Sequence, residues 1–554
     1  MDRIIAHANN DIALVVWEYA QRINGCLGFR VRRKNVATGQ ETILPCWVGW
    51  EGQTNPQHAA KTTEEWPVQK FQWRDLTAQR GESYTYEIVP MVGAPGLLQP
   101  KATQALVSNA VTVGPQRGSF RVYFNRGLLA TQAVAHSLPK GPSGLPNYVA
   151  LRERIDQPGD PLRVRLGGQA VEALTSLLRR TQQQGGECHL ALYELVDTEL
   201  ISLLLECRKL IHIVLSNTGA DDAENASARQ ALHDAGVDIT DRMLTGSHSP
   251  IGHNKFCVYV DANGQPQTVL TGSTNWTPTG LCAQSNNAVL IDNPTIAATY
   301  LQYWNRLKQD HQQDPPLRQA DAVPAPDVTV DGAKARVWFS PNTARKRVDP
   351  AVRPADLGEV EQLIASARAG VLFLLFQPGS PSVEEFVATA KKANPALFIR
   401  GAATNGSVVE DYRAILTHDG DAPPDEVVKA AAINEESAYW ERELLKSSPQ
   451  AHAIIHDKIV VIDPFGADPV VVTGSHNLGH KASYANDENM LIVRGHQELA
   501  RAYAVHALDV YDHYRWRFTI QEQGQMAWNG LKTQDTWQDK YFKPAMAKQR
   551  AFYF

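Results

Sequence analysis

His456, Lys458, Ser475 and Asn477 stand at the ends of two apolar runs: His456-Asp457-Lys458-Ile459-Val460-Val461-Ile462-Asp463, a turn-forming Pro464-Phe465-Gly466-Ala467-Asp468-Pro469, and Val470-Val471-Val472-Thr473-Gly474-Ser475-His476-Asn477. Valine-rich runs around a Pro- and Gly-containing segment predict an antiparallel hairpin. Side chains two apart share a strand face, so His456 and Lys458 point the same way. With Asp463 facing Val470 across the turn, Asn477 stands opposite His456. One hairpin end then gathers an imidazole, an ammonium, a hydroxyl and an amide. The same set recurs as His253-Asn254-Lys255, Asp261, an Asn263-Gly264 turn and Thr271-Gly272-Ser273-Thr274-Asn275-Trp276. At about one in twenty per specified residue, five fixed partners after a given His arise by chance on the order of once in a million. Two copies are no coincidence.

Two His, two Lys and two Asn without clustered carboxylates do not suit a hard metal ion, which takes oxygen ligands, and neighbouring lysines repel zinc. The set suits an anion. Paired ammonium groups with amide and hydroxyl donors can hold the non-bridging oxygens of a phosphodiester and stabilise a pentacovalent transition state. A neutral imidazole can attack phosphorus while a protonated one gives its proton to the leaving alcohol; water then releases the phosphohistidine. The lysines supply the charge neutralisation, so no cofactor and no metal is expected.

These residues resemble the phospholipase D superfamily, whose signature is His-x-Lys with an Asp beyond it and Gly-Ser-x-Asn following. The resemblance spans roughly residues 118 to 520. It implies two α/β lobes related by a pseudo-twofold axis, with both hairpins meeting at one active site. It also implies His253 as nucleophile, His456 as general acid, and Lys255, Lys458, Asn275 and Asn477 as phosphate ligands supported by Ser273 and Ser475. Trp276 is a candidate pocket wall, with packing beneath the hairpin as the competing reading.

Two departures from the signature carry expectations. Five residues separate Lys255 from Asp261, against four between Lys458 and Asp463, so a β-bulge is expected within Phe256 to Val260. Asp261 and Asp463 are read as structural anchors. Downstream, Glu488 stands in the family's acidic position and Asn287 at the equivalent place in the first copy. A carboxylate raises imidazole basicity, so Glu488 is expected to serve His253 across the lobe interface, leaving Asn287 near His456 as a substrate-side amide.

The elements that must position these groups occur twice. A strand (Phe120 to Asn125; Ala335 to Ser340), a helical stretch (Gln169 to Arg180; Leu357 to Arg368) and an apolar strand (His189 to Tyr193; Val371 to Phe376) lead to the hairpin through a second helix and strand. A closing strand and an amphipathic helix follow each hairpin (Ile296 to Leu307; Glu498 to Arg517). Repeated order of this kind is duplication, and the fold class is α/β, two sandwich lobes whose sheets are covered by helices on both faces. Residues 1–116 read as an all-β sandwich, in which Leu76 to Tyr86 resembles the loop and strand around the tyrosine corner of fibronectin type III domains; its role is read as bracing. The first lobe is expected over 117–315, a Pro-rich linker over 316–333, and the second lobe over 334–554. Trp528, Trp537, Tyr541, Phe542 and Phe554 in the tail are expected to pack onto a lobe.

At 554 residues the chain exceeds one core, and its net charge of −5 leaves no overall basic footprint for nucleic acid. A local basic groove would draw on Arg121, Arg126, Arg163, Arg165, Arg179, Arg180, Arg345, Lys346 and Arg347. No signal-like or membrane-spanning run is read, so a cytoplasmic protein without stable membrane insertion is expected, with signal-independent export open. With both motifs in one chain, a monomer suffices. The six cysteines show no zinc spacing and are read as buried thiols, with a Cys26–Cys46 pair open. His189 and His212 on apolar segments are read as satisfied core residues, His248 and His480 as candidates for the site's mouth. Three readings remain: a phosphodiesterase acting on phospholipid head groups, a nuclease of the same superfamily, and a non-catalytic scaffold.

Overall fold

Near-continuous apolar strands need cover on both faces, and the computed structural model contains two sheets built that way. It describes residues 2–53, 59–125, 139, 148–219, 221–246, 249–344, 349, 351–404, 427–429, 455–523 and 530–554. The first sheet comprises β1 (Gln116–Arg117), β2 (Phe120–Phe124), β3 (Glu187–Leu192), β4 (Ile211–Asn217), β5 (Asp238–Met243), β6 (Lys255–Val260), β7 (Pro266–Gly272) and β8 (Asn287–Asp292), in the order β1-β2-β8-β7-β6-β3-β4-β5. The second comprises β9 (Val328–Val330), β10 (Ala333–Ser340), β11 (Gly370–Leu375), β12 (Phe398–Ala403), β13 (Val427–Lys429), β14 (Ile459–Ile462), β15 (Val470–Gly474) and β16 (Glu488–Arg494), in the order β9-β10-β16-β15-β14-β11-β12-β13. The second order is the first advanced by eight, which is the duplication expressed as topology. In each sheet three strands run parallel (β3, β4, β5; β11, β12, β13), and β3 and β11 pair antiparallel with the motif strands β6 and β14.

The sheets share one apolar seam. Phe256, Val289 and Ile291 of the first meet Val337, Phe339 and Leu491 of the second in a single buried cluster. Each lobe's closing helix crosses to the other lobe. Pro294–Gln309, started by a proline and by Asn293 accepting the N–H of Ile296, buries Tyr300, Tyr303 and Trp304 on one face. Its Tyr303 stacks on Phe339 at 4.0 Å. Helix Gln497–Gln523 sets Tyr503 edge-on against Phe124 at 5.2 Å. Each buried aromatic contributes ~1.5–3 kcal/mol, so the two lobes are fixed in one arrangement. Separate clusters fill the outer faces, around Leu174, Leu190 and Leu200 in one lobe and Leu357, Phe373 and Phe386 in the other.

The N-terminal region is all β: a three-stranded sheet (Arg3–Ala8, Ala13–Glu18, Gln72–Asp75) faces a larger sheet centred on Cys26–Asn35 and Ser83–Val92. Trp17, Phe29, Val31, Tyr86 and Ile88 are buried in its core. The Tyr84 hydroxyl accepts the N–H of Gln79 at 3.2 Å, and Tyr86 donates to Asp75 at 3.0 Å. Arg74 reaches Asp509 and Asp512 of the long helix, bracing the sandwich against the second lobe. The tail divides: Trp537, Tyr541 and Phe542 pack on Phe71 of the sandwich, Phe552 and Tyr553 on Phe398 of the second lobe; Trp528 lies outside the described residues. Residues 316–333, expected as linker, contribute helix Pro315–Asp321 and edge strand β9, because Leu317 is buried in the shared seam. Cys26 and Cys46 are free and buried.

Candidate active site

The second motif's ladder runs Val460↔Val472, Val461↔Val471, Ile462↔Val470. This is one residue out of the expected register, because Asp463 leaves the ladder. It sits at φ 46° in the turn, and its carboxylate accepts the N–H groups of Arg368, Ala369 and Gly370 at 2.7–2.8 Å, tying the hairpin to the start of β11. In the first motif the register shifts between Tyr259 and Val260, inside the expected span. The extra residue, however, is Gln267 on the partner strand. Its amide donates to Asp261, which also accepts the N–H groups of Asn263 and Gln265. Both aspartates hold turns at the strand ends remote from the histidines.

At the other strand ends the two lobes meet. The N–H of His456 donates to Ser285 O at 3.0 Å and that of Asp487 to Ile251 O at 3.0 Å, so backbone bonds cross the interface in both directions. His253 lies with Nδ1 3.0 Å from Glu488 Oε2 of the other lobe, the pairing expected from sequence. His456 lies with Nδ1 2.9 Å from Oδ1 of Asn286, not Asn287. Ser273–Asn287 and Ser475–Asn489 have the same separation of 14 residues and the same bond, N–H to Oγ at 3.0 Å. Asn287 therefore corresponds to Asn489, and Asn286 to Glu488. Asn286 Nδ2 donates to the carbonyl of Gly280 at 2.9 Å, so its oxygen faces His456 and the imidazole must donate from Nδ1.

Asn287 and Asn489 knit the interface instead. Asn287 donates to Asp457 and accepts from Thr473 of the other lobe; Asn489 donates to Asn254 and accepts from Thr271. The residues between each His and Lys, Asn254 and Asp457, point away from the imidazoles into this network, as strand alternation requires. Ser273 and Ser475, both fully buried, accept from Asn287 and Asn489, and Ser273 donates to Asn286 at 2.8 Å. Ser273 thus holds the amide that faces His456. Trp276 is packed in the outer core of its lobe.

The lysines are placed alike. Lys255 Nζ donates to His253 O and Lys458 Nζ to His456 O, each at 2.7 Å. They lie 5.0 Å over the rings of Tyr193 and Phe376, which also wall His253 and His456 at 4.9 and 4.8 Å. Asn275 donates to Glu194 at 2.5 Å, and the carboxamide oxygens of Asn275 and Asn477 are buried without a hydrogen-bond partner among the described residues.

Burial and mutual repulsion set the proton affinities. Burial, then Lys255, lowers His253 to about 4 against the opposing pull of Glu488. Burial, then the two lysines, carries His456 well below the usual range. Lys255 falls to about 7, chiefly by burial, and Lys458 is lowered by burial and by Lys255. Burial works to raise Glu488, but His253, His476 and Asn486 together outweigh it and hold the carboxyl low. Burial raises Glu194 to about 7. An anion between the lysines opposes these depressions, so the arrangement couples anion binding to imidazole protonation.

Tyr193, Glu194, Asn286 and Phe376 escape the motif reading. Equal spacing from the Gly-Ser pair identifies Asn286; the other three follow strands whose alignment to the motif needs the sheet. Arg163 is spent on Asp197 and Glu199, Arg121 on Asp292 and Arg180 on Thr268, whereas Arg126, Arg345, Lys346 and Arg347 lie outside the described residues, as does His248. His480 is buried against Tyr484. His212 is bonded to Asp238 and Glu187 at the sheet's edge, not satisfied in a core.

The family described as cardiolipin synthase, PLD-like domain, matches residues 174–308 and 399–508, one segment in each lobe, so both lobes are phospholipase D-like. Among solved structures, phosphatidylserine synthase of Haemophilus influenzae is 11% identical over 62% of this chain and 85% of its own, with a TM-score of 0.41. The phospholipase D family member Nuc of Salmonella typhimurium is 25% identical over 25% of this chain and 86% of its own, TM-score 0.21. Yeast tyrosyl-DNA phosphodiesterase is 9% identical over 57% and 85%, TM-score 0.30. No curated protein matches the chain. Among the described residues no helix is long and apolar enough to cross a membrane.

Proposed function

We propose that the chain is a phosphodiesterase that cleaves phospholipid head groups by double displacement through a phosphohistidine. The observation that carries the reading is the unequal pairing of two buried imidazoles, His253 on the Glu488 carboxylate and His456 on the Asn286 amide, beside two buried lysines. His253, donating from Nδ1 to Glu488, presents the lone pair of Nε2. It attacks phosphorus; the bond to the leaving alcohol breaks, and His456 as imidazolium gives that alcohol its Nε2 proton. Water then attacks phosphorus, neutral His456 takes its proton, and the N–P bond breaks to restore His253. An alcohol in place of water gives transfer.

The pairing suits each role. A carboxylate raises the basicity of the attacking ring and stabilises the charge it gains. An amide stabilises imidazolium less, leaving His456 the more acidic. Lys255, Lys458, Asn275 and Asn477 hold the non-bridging oxygens and the charge that grows on them. Phospholipid is favoured because the matched family description names a lipid enzyme, and because Arg121, Arg163 and Arg180 are already engaged within the protein.

The test is hydrolysis of a phospholipid panel beside single- and double-stranded DNA and RNA, with wild type and His253→Ala. Head-group release by wild type alone, with an acid-labile phosphoryl adduct on His253 after denaturation, is expected. Activity confined to nucleic acid overturns the substrate; no activity and no adduct overturns the chemistry in favour of a scaffold.

A further inference from the structure

At the rim of the first sheet opposite His253, His189 of β3 is paired with His212 of β4, and Glu187 lies two residues earlier on the same face as His189. Four residues of strand, about 13 Å, separate His189 from Tyr193 in the candidate active site. Glu187 Oε2 is 3.2 Å from His212 Nε2 and 3.9 Å from His189 Nε2, and a ligand atom from each of the three residues lies within 4.8 Å of the others. The rings are stacked at 4.7 Å. On its far side His212 Nδ1 meets Asp238 Oδ2 at 2.7 Å.

We propose that this rim binds a zinc ion through Glu187, His189 and His212, with solvent in the fourth position and Asp238 orienting His212. Two imidazoles and one carboxylate are an established donor set for tetrahedral zinc. At Zn–N and Zn–O distances of about 2.0–2.2 Å, tetrahedral ligands stand about 3.3 Å apart; His212 and Glu187 already do, and His189 closes the remainder by a small ring shift. A carboxylate on the second nitrogen of a ligating imidazole fixes its tautomer and strengthens it as a donor.

The bland alternative is an imidazolium clamped between two carboxylates. It accounts for His212 but not for the polar atoms of His189: that ring packs edge-on against Trp304 at 4.7 Å yet makes no hydrogen bond among the described residues, and its Nδ1 is buried without a partner. Lys308 is paired with Asp238 at 2.7 Å. Two carboxylates, Glu187 and Asp238, face the two imidazoles, unlike the lysine-dominated active site. Binding displaces the His212 Nε2 proton to solvent.

The experiment is titration of chelator-stripped protein with Zn²⁺ by calorimetry and with Co²⁺ by visible absorption, on wild type, His189→Gln, His212→Gln, Glu187→Gln and Asp238→Asn. One equivalent in wild type with tetrahedral Co²⁺ bands is expected, lost in both histidine variants and weakened about 10- to 100-fold in Asp238→Asn. Circular dichroism establishes that each variant is folded. Should the histidine variants not fold, loss of the bands in Glu187→Gln, whose side chain is half exposed, carries the same test. No stoichiometric binding by wild type, or binding undiminished in the folded variants, overturns the proposal.

Discussion

Replacing Glu488 by glutamine removes one negative charge from the candidate site and little else. Glu488 Oε2 meets His253 Nδ1, while its Oε1 accepts from Asn486 Nδ2 at 2.9 Å. Glutamine keeps the first contact if its own Nε2 faces Asn486, and Asn486 can answer by turning over, since its Oδ1 is buried without a partner. The tautomer of His253 survives, so the variant isolates the charge. As Nε2 attacks phosphorus the ring approaches a full positive charge. At about 4 Å and an effective dielectric of 20 the carboxylate attracts it by about 4 kcal/mol. With the new bond half formed, about 2 kcal/mol is lost from the transition state, or about 30-fold in rate. The assay is the nitrophenolate burst from a 4-nitrophenyl phosphodiester followed by rapid quench, because that leaving group needs no proton and exposes the attacking step. A burst rate equal to wild type in Glu488→Gln would falsify the assignment of His253 as nucleophile supported by Glu488.

Other outcomes follow from the same geometry. Asn286→Asp puts a carboxylate on His456 and makes it a weaker acid: release of an alkyl alcohol slows about 10-fold while release of nitrophenolate is unchanged, as a comparison of the two substrates checks. Lys458→Met removes a buried ammonium held low by burial and Lys255; activity is lost, yet thermal unfolding rises by the equivalent of about 0.5–2 kcal/mol. The nucleophile must be neutral, and His253 at about 4 places the acid limb of the kcat/KM profile near pH 4, well below the 6.5 of a free imidazole. Glu194 is raised from 4.5 to about 7 by burial, so its stabilising contribution is present below pH 4.5 and lost as pH rises towards 7; Glu194→Gln flattens the fall in unfolding temperature across that window.

The two motifs were legible because the chemistry is local in sequence: His-x-Lys and Gly-Ser-x-Asn sit on one hairpin, and the alternation of a strand puts their side chains on one face. Topology was legible for the same reason, since the repeated strand and helix order maps onto two sheets of identical strand order. Register was not. Asp463 was expected to face Val470, but three backbone N–H groups leading into β11 claim its carboxylate, a long-range contact that no hairpin rule contains. The bulge was anticipated from one extra residue, yet which strand carries it depends on Gln267 reaching Asp261. Asn287 was taken for the equivalent of Glu488 and the partner of His456; counting from Ser273 gives Asn286. Glu194 and Tyr193 follow a strand with no motif of its own, and only the sheet brings them to Lys255 and Asn275.

The hydrogen-bond crossings of the interface are close to twofold, and the difference between positions 286 and 488 follows from what double displacement requires. Thr271 with Asn489 and Thr473 with Asn287 are equivalent crossings, and within the lobes Lys255 over Tyr193 matches Lys458 over Phe376. A symmetric choice at 286 and 488 fails either way. Two carboxylates would offset both lysines and hold both imidazoles towards the cation, leaving no lone pair to attack and weakening the hold on phosphate. Two amides would leave both rings feebly basic between the lysines, with nothing to stabilise the charge that develops on attack. One carboxylate and one amide give the two rings opposite protonation tendencies within a single anion-binding site, with the network of Asn287, Asn489 and the two serines unchanged. The asymmetry also fixes direction: the ring facing Glu488 is the better nucleophile and the ring facing Asn286 the better acid, so exchanging the two residues, Asn286→Glu with Glu488→Asn, exchanges the roles. In that double variant the trapped phosphoryl group moves from His253 to His456, readable by peptide mapping; an adduct still on His253 would place the origin of the asymmetry elsewhere in the site.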